Sequence, residues 1–263
     1  MRTNRLLEGK QAFVSAGGAG VGRAIALLFA AQGAAVAITD IDEEAGRQTE
    51  AELKALSPGS FFLPADMADR AQTEEACREV LRRFGRVDCL INNAGRFERA
   101  YAHEVDLAGF RALMELNVLC TVRCTKLFLP GMLEARAGTI VNISSDYTKG
   151  SVPQVGAYAA SKGALSAYGR AVAMDYARWG IRCNNLLLGM NLGCVGRAYQ
   201  QEMPRFRGGN GFDMTQPLRR PATVEDAAKA ALYLASDLSA FMTGEDLPVD
   251  GGIQAQAHVQ DWG

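Results

Sequence analysis

The sequence predicts an α/β fold, a single doubly wound parallel sheet of Rossmann type with helices on both faces. Three observations lead there. Short apolar runs of strand length alternate with longer stretches of helical periodicity along most of the chain. Residues 10–40 form a compact strand, glycine-rich turn, helix and second strand. Gly17, Asp40, Asp66, Asn93, Ser145 and Gly189 all fall just beyond predicted strands, so a parallel sheet would gather them along one edge.

The elements follow in order. An apolar strand over 11–15 runs into the turn Ala16-Gly17-Gly-Ala-Gly20-Val21-Gly22. Apolar residues at helical spacing then predict a helix over 20–32, closed by Gly33. A strand over 34–39 ends at Asp40, which is also a candidate N-cap for a helix over 42–56. Further strands are expected at 60–65, 87–92, 138–145, 181–188 and 246–249, and further helices at 69–84, 110–135, 157–179 and 223–236. Residues 190–220 break the alternation with Gly193, Gly196, Gly208, Gly209 and Gly211, and read as a lid-like insertion.

Composition sets the outer limits. With 263 residues, 48% of them hydrophobic, the chain can build one large α/β domain over 1–263. A net charge of −1 gives no electrostatic case for nucleic acid or an anionic membrane. The first ten residues lack the apolar run of a secretory signal, and no run is long enough to span a bilayer. A cytoplasmic protein is expected. The six cysteines show no Cys-x-x-Cys pairing, and with two histidines in the chain they read as small core residues rather than metal ligands.

Two segments carry chemistry. In the first, Gly17, Gly20 and Gly22 would let the backbone approach a pyrophosphate, whose charge would sit at the positive end of the following helix. Asp40 lies where a carboxylate can accept hydrogen bonds from a ribose 2′-hydroxyl and would repel a 2′-phosphate. With Ile41, Asp42 and Glu43 beside it and Arg23 the nearest cation, NAD is expected over NADP. In the second segment, Tyr158 and Lys162 stand one helical turn apart. An ammonium there favours the phenolate and pulls the tyrosine toward the pH range in which it can exchange a proton with an alcohol oxygen. Ser145, at the end of the preceding strand, could hold that oxygen.

With both segments in place, residues 8–252 resemble the short-chain dehydrogenase/reductase family. The pieces arrive in the family's order: the glycine turn, Asp66, Asn92-Asn-Ala-Gly95, Asn117, Ser145, Tyr158, Lys162 and the closing Thr243-Gly-Glu-Asp-Leu-Pro-Val-Asp-Gly-Gly252. The resemblance implies hydride transfer between a nicotinamide and an alcohol or carbonyl carbon of a small-molecule substrate. It implies catalytic roles for Asn117, Ser145, Tyr158 and Lys162. Gly17, Gly20, Val21, Gly22, Asp40, Asp66, Met67 and Asn93 would hold the dinucleotide, Asp66 and Met67 at the adenine and Asn93 near the adenosine ribose. Lys162 would bind the nicotinamide ribose, and Asn117 would support a water-linked proton path. It also implies a tetramer or dimer, which apolar residues such as Leu113, Leu119, Leu165 and Val172 suggest independently as surface in excess of one core.

The chain departs from the family pattern in places. Ala16 stands where the first glycine of the turn is usual, and Leu188-Gly189-Met190-Asn191 replaces a Pro-Gly segment, leaving Asn191 to meet the nicotinamide carboxamide or turn outward. Arg96, Arg99, Lys149, Arg197, Arg205 and Arg207 could recognise an anionic substrate or simply be solvated. Asp146 and Tyr147 hint at a polyol or sugar-derived alcohol. From another class comes the alternative of a non-catalytic NAD-binding sensor or scaffold, for which loss of Ser145, Tyr158 or Lys162 would be expected; all three are present.

Overall fold

The protein is described by a computed structural model over residues 5–189 and 216–256. Seven parallel strands form one sheet: β1 (Gln11–Val14), β2 (Ala35–Asp40), β3 (Phe61–Pro64), β4 (Cys89–Asn92), β5 (Gly138–Ser145), β6 (Ile181–Leu188) and β7 (Asp246–Val249). Their order in space is β3-β2-β1-β4-β5-β6-β7. The chain winds outward from β1 to β3, then returns to lay β4 against the other side of β1. Between β1 and β4 the winding reverses, which opens a crevice beyond their C-terminal ends.

The strands are apolar because both faces are covered. Side chains alternate between two cores: Ala12 and Val14 enter one, Phe13 the other; Cys89 and Ile91 enter one, Leu90 the other. On the first face lie α1 (Gly20–Ala31), α2 (Glu43–Leu56) and, near the C-terminus, a helix over Val224–Ala235. On the second lie α3 (Arg70–Phe84), α5 (Cys120–Ala135, after the shorter α4, Leu107–Met114) and α6 (Gly156–Tyr176). The C-terminal helix, α7, starts with a capping box in which Thr223 accepts from the Asp226 amide and the Asp226 carboxylate accepts from the Thr223 amide.

Three expectations are corrected. Asp40 does not cap α2; Asp42 does, accepting from the Ala45 amide, because β2 continues through Asp40. The helix expected over 110–135 is interrupted: α4 begins at Leu107, and a π turn over Glu115–Leu119 separates it from α5. There the Cys120 thiol donates to the Leu116 carbonyl at 2.6 Å, while Asn117 turns into the protein. Of the apolar residues read as excess surface, Leu113, Leu165 and Val172 are buried in this chain's own core, whereas Leu119 is exposed. The helices of the second face are gripped by the sheet and by each other, so they bury more of their circumference than one stripe.

Of the 190–220 insertion, the described residues include 216–220 alone; Arg197, Arg205, Arg207, Asn191 and Cys194 lie outside them. No helix among the described residues is long and apolar enough to cross a membrane. The five described cysteines are free and buried, and burial pushes Cys89 and Cys120 up to about 11 and Cys183 to about 12. Thiols so placed stay protonated and inert.

Candidate active site

The turn after β1 is shaped by what glycine allows. A side chain at Gly22 would stand 2.1 Å from the Ala16 carbonyl oxygen and 2.5 Å from Asn93 Nδ2, so α1 rests directly on the turn. A side chain at Gly17 would stand 2.7 Å from Ile38, and Gly20 adopts a positive φ of 55°. Val21 is buried behind the turn in the core under α1. At the start of α1, Ala19 provides no side-chain cap, and the first turn holds no acidic residue. The amides there are left for an outside anion, unlike those of α2 and α3, which Asp42 and Asp69 cap. The residues present therefore fit a dinucleotide's phosphates.

Side chains from neighbouring strand ends brace this turn. Asn93 Nδ2 donates to the carbonyls of Ser15 and Ala16 at 3.0 and 2.9 Å, and Ser15 Oγ accepts from the amides of Asn93 and Ala94, both at 2.9 Å. Asp40 accepts from the Gly18 amide at 2.8 Å and the Asp42 amide at 3.0 Å, which fixes its carboxylate over the turn. Asp66 accepts from the Ala68 amide, and buried Met67 receives the Thr39 hydroxyl at its sulfur. Asn92, beside Asn93, bonds not to backbone but to Asn142 at 2.9 Å; Asn142 continues to Asn185, and Asn185 to Asp246. That ladder ties β4 to β7.

Beyond β4 the π turn brings Asn117 inward. Fully buried, it accepts from the Arg96 amide at 2.9 Å and donates to the Arg96 carbonyl and to Ser161 Oγ. Ser161 donates in turn to the Tyr158 carbonyl at 2.7 Å. Lys162, buried in the same helix, directs Nζ to the Ile143 carbonyl at 2.8 Å and stands 5.8 Å from the centre of the Tyr158 ring. A side chain at Gly95 would be 3.2 Å from both Asn117 Oδ1 and Lys162 Nζ. The amide and the amine therefore face one space at the end of β4.

Tyr158 is walled by aromatic edges, Phe97 at 4.9 Å and Tyr147 at 6.2 Å between ring centres. At the end of β5, Ser145 Oγ accepts from the Tyr147 amide and donates to Asp146 Oδ1 at 3.0 Å. Burial, with a contribution from the Asp250 carboxylate, pushes Asp146 above the usual carboxylate range. Two of the candidate anion-binding cations are engaged by carboxylates: Arg96 with Glu98 at 2.7 Å and Lys149 with Asp246 at 3.6 Å.

The structure thus gathers Asn117, Ser145, Tyr158 and Lys162 on one edge with the glycine turn. Sequence reasoning missed Ser15, Ser161, Phe97 and the Ile143 carbonyl. Ser161 carried a faint signal, lying between Tyr158 and Lys162; the others are brought in by contacts distant in sequence.

Fold and site together define a Rossmann-type α/β protein with a dinucleotide-shaped turn beside a Ser-Tyr-Lys group. Comparison with known proteins narrows the class. A family model described as enoyl-(acyl carrier protein) reductase matches residues 16–254. The chain is 37% identical over 251 residues to L-fucose dehydrogenase of Bos taurus, covering 94% of this chain and 90% of that one. It is 34% identical over 252 residues to 2,5-dichloro-2,5-cyclohexadiene-1,4-diol dehydrogenase of Sphingobium indicum, covering 95% and 98%. The crystal structure of levodione reductase superimposes with a TM-score of 0.88 at 27% identity, covering 96% of this chain and all of that one. The protein belongs to the short-chain dehydrogenase/reductase family, whose members generally use NAD or NADP.

Proposed function

We propose that this protein transfers hydride between NAD and the secondary alcohol or carbonyl carbon of a small hydroxylated compound, with Tyr158 as general acid/base. The observation that carries this reading is the seating of Lys162: a buried amine, held by the Ile143 carbonyl, close to the Tyr158 ring. Bound NAD supplies the hydride acceptor. Ser145 holds the substrate oxygen, Tyr158 takes its proton, and the nearby ammonium stabilises the phenolate that receives it. Asn117 and Lys162 flank the space through which that proton leaves by way of water. The relatives that act on L-fucose and on a ring diol support a substrate rich in hydroxyls.

Asp40 supports NAD over NADP. Its carboxylate is pinned at the turn by two amides, and Arg23, the basic residue that follows the glycine turn in sequence, is paired with Glu52 at 2.7 Å.

The deciding experiment follows absorbance of the reduced nicotinamide with a panel of secondary alcohols, polyols and hydroxy acids. Tyr158→Phe should lower turnover by about 10²- to 10⁴-fold while NAD affinity stays within a few-fold; undiminished turnover refutes the assignment. Asp40→Ala should erode the preference for NAD over NADP, and an unchanged preference contradicts the cofactor reading. Tight NAD binding without turnover of any substrate would favour the alternative, a sensor or scaffold.

A further inference from the structure

Asp146 sits in a poor place for a carboxylate. It follows Ser145 on the short turn that ends β5, half-buried, with the Asp250 carboxylate adding to its burden. Asp42 caps a helix, Asp226 meets Arg220, and Asp40 and Asp250 each accept from two backbone amides of neighbouring turns. Asp146 caps no α-helix and meets no cation among the described residues: its side-chain partner is the Ser145 hydroxyl, helped by local backbone amides, and Lys149, three positions on, turns to Asp246 instead. A half-buried carboxylate without a cation beside it, at the end of the strand that carries Ser145, is costly to keep and points to a ligand.

We propose that Asp146 is a specificity-determining residue that accepts a hydrogen bond from a second substrate hydroxyl, on the carbon next to the reacting one. The inference rests on the reading of Ser145 as holder of the reacting oxygen. Ser145 Oγ and Asp146 Oδ1 are 3.0 Å apart, a spacing comparable to that of neighbouring hydroxyls in a gauche diol. A substrate oxygen at Ser145 therefore brings its neighbour to Asp146. Ser145 has a single proton, which in this structure goes to Asp146. To bind a carbonyl oxygen, the serine must turn that proton toward the substrate. A second hydroxyl can replace the serine as donor to Asp146 and release it. A substrate lacking that hydroxyl leaves the carboxylate competing for the serine proton. An anionic group beside Asp146 and Asp250 would be repelled, so the favoured substrate is a neutral vicinal diol or polyol.

The test compares cis-1,2-cyclohexanediol with cyclohexanol, each oxidised by wild type, Asp146→Asn and Asp146→Ala with NAD. Wild type should prefer the diol. Asp146→Ala should lower kcat/KM for the diol by about 10- to 100-fold, the worth of a hydrogen bond to a charged group, and should raise kcat for cyclohexanol. Asp146→Asn, whose amide oxygen still accepts, should fall between. A general loss of structure cannot produce that crossover. Equal losses on both alcohols, no loss on the diol, or a wild-type preference for cyclohexanol would each overturn the proposal. Wild type that binds NAD yet oxidises neither these alcohols nor any of the wider panel of alcohols, polyols and hydroxy acids defeats the proposed function itself; wild type that oxidises hydroxy acids or simple alcohols but no vicinal diol defeats this inference alone.

Discussion

In the turn after β1, polar side chains are directed at backbone: Ser15 and Asn93 at each other's strand ends, Asp40 at the amides of Gly18 and Asp42. In the turn after β5, two strands along the same sheet edge, side chains also answer to side chains, with Ser145 on Asp146 as well as under the Tyr147 amide, and the aromatic edges of Phe97 and Tyr147 against Tyr158. In the proposed function the first turn presents amides to a phosphate; its side chains are committed to backbone and its glycines leave no room for adjustment. The second, in the same proposal, exchanges hydrogen bonds with a substrate, and it keeps groups whose partners can be traded. Rigidity sits where a phosphate is proposed to bind; a half-buried carboxyl without a cation sits where chemistry is proposed.

Breaking the first turn should have the largest effect. Gly22→Ala places a methyl 2.1 Å from the Ala16 carbonyl oxygen and 2.5 Å from Asn93 Nδ2. The oxygen is backbone and the amide is itself bonded to that turn, so neither can yield cheaply. A loss of about 3 kcal/mol in urea unfolding is expected, at the upper end for overpacking, with NAD affinity falling as α1 is pushed off the turn. Stability and affinity close to wild type would show that the turn can flex after all, and the contrast with β5 would dissolve.

The second turn should respond in the opposite sense. Because burial raises Asp146 above the usual carboxylate range, the folded state holds its proton more tightly than the unfolded chain does. Below the unfolded value both states are protonated and nothing is lost. As pH rises from there the unfolded chain ionises first, and stability falls until the folded carboxyl has ionised too. Asp146→Asn removes that penalty, so it should stabilise the protein by roughly 1 kcal/mol near neutral pH, an ordinary gain where function had been bought with stability. The gain should shrink toward zero near pH 3, read from urea midpoints at both pH values. A gain independent of pH would mean that the carboxyl's ionisation is not the cause.

The same division explains what could be read from the sequence. The glycine turn, Asp40, and the pair Tyr158 and Lys162 were visible because their chemistry depends on spacing within one turn or one helix. The sheet was visible because strands covered on both faces are apolar throughout. The π turn was not, since it exists to let Asn117 reach Arg96 and Ser161, the latter 44 positions away. Nor could the Ile143 carbonyl under Lys162 be foreseen, for backbone leaves no mark in the alphabet. Asp40 read as the cap of the helix that follows; that Asp42 serves instead depends on where β2 ends, and boundaries are the weakest part of any periodicity argument. Leu113, Leu165 and Val172 looked like surplus because the stripe expected of a helix on one sheet face ignores its neighbours.

One residue runs against the order of the first turn. Ala16 has φ of 52°, in the left-handed region, at the position where the family usually carries glycine. Its methyl costs about 1–2 kcal/mol there, and the backbone must hold it, because the Ala16 carbonyl receives Asn93 and lies under Gly22. Ala16→Gly relieves that strain but also loosens the unfolded chain by about 0.5–1 kcal/mol. The balance is a stabilisation of about 0.5 kcal/mol, or about 1–2 °C in Tm for a chain of this size, the smallest effect of the three and the most specific. The variant keeps every hydrogen bond of the turn, so a rise in Tm can come only from the backbone. A fall in Tm would mean that the turn tolerates alanine without strain, and that the bracing by Ser15, Asn93 and Asp40 has no stored cost to oppose.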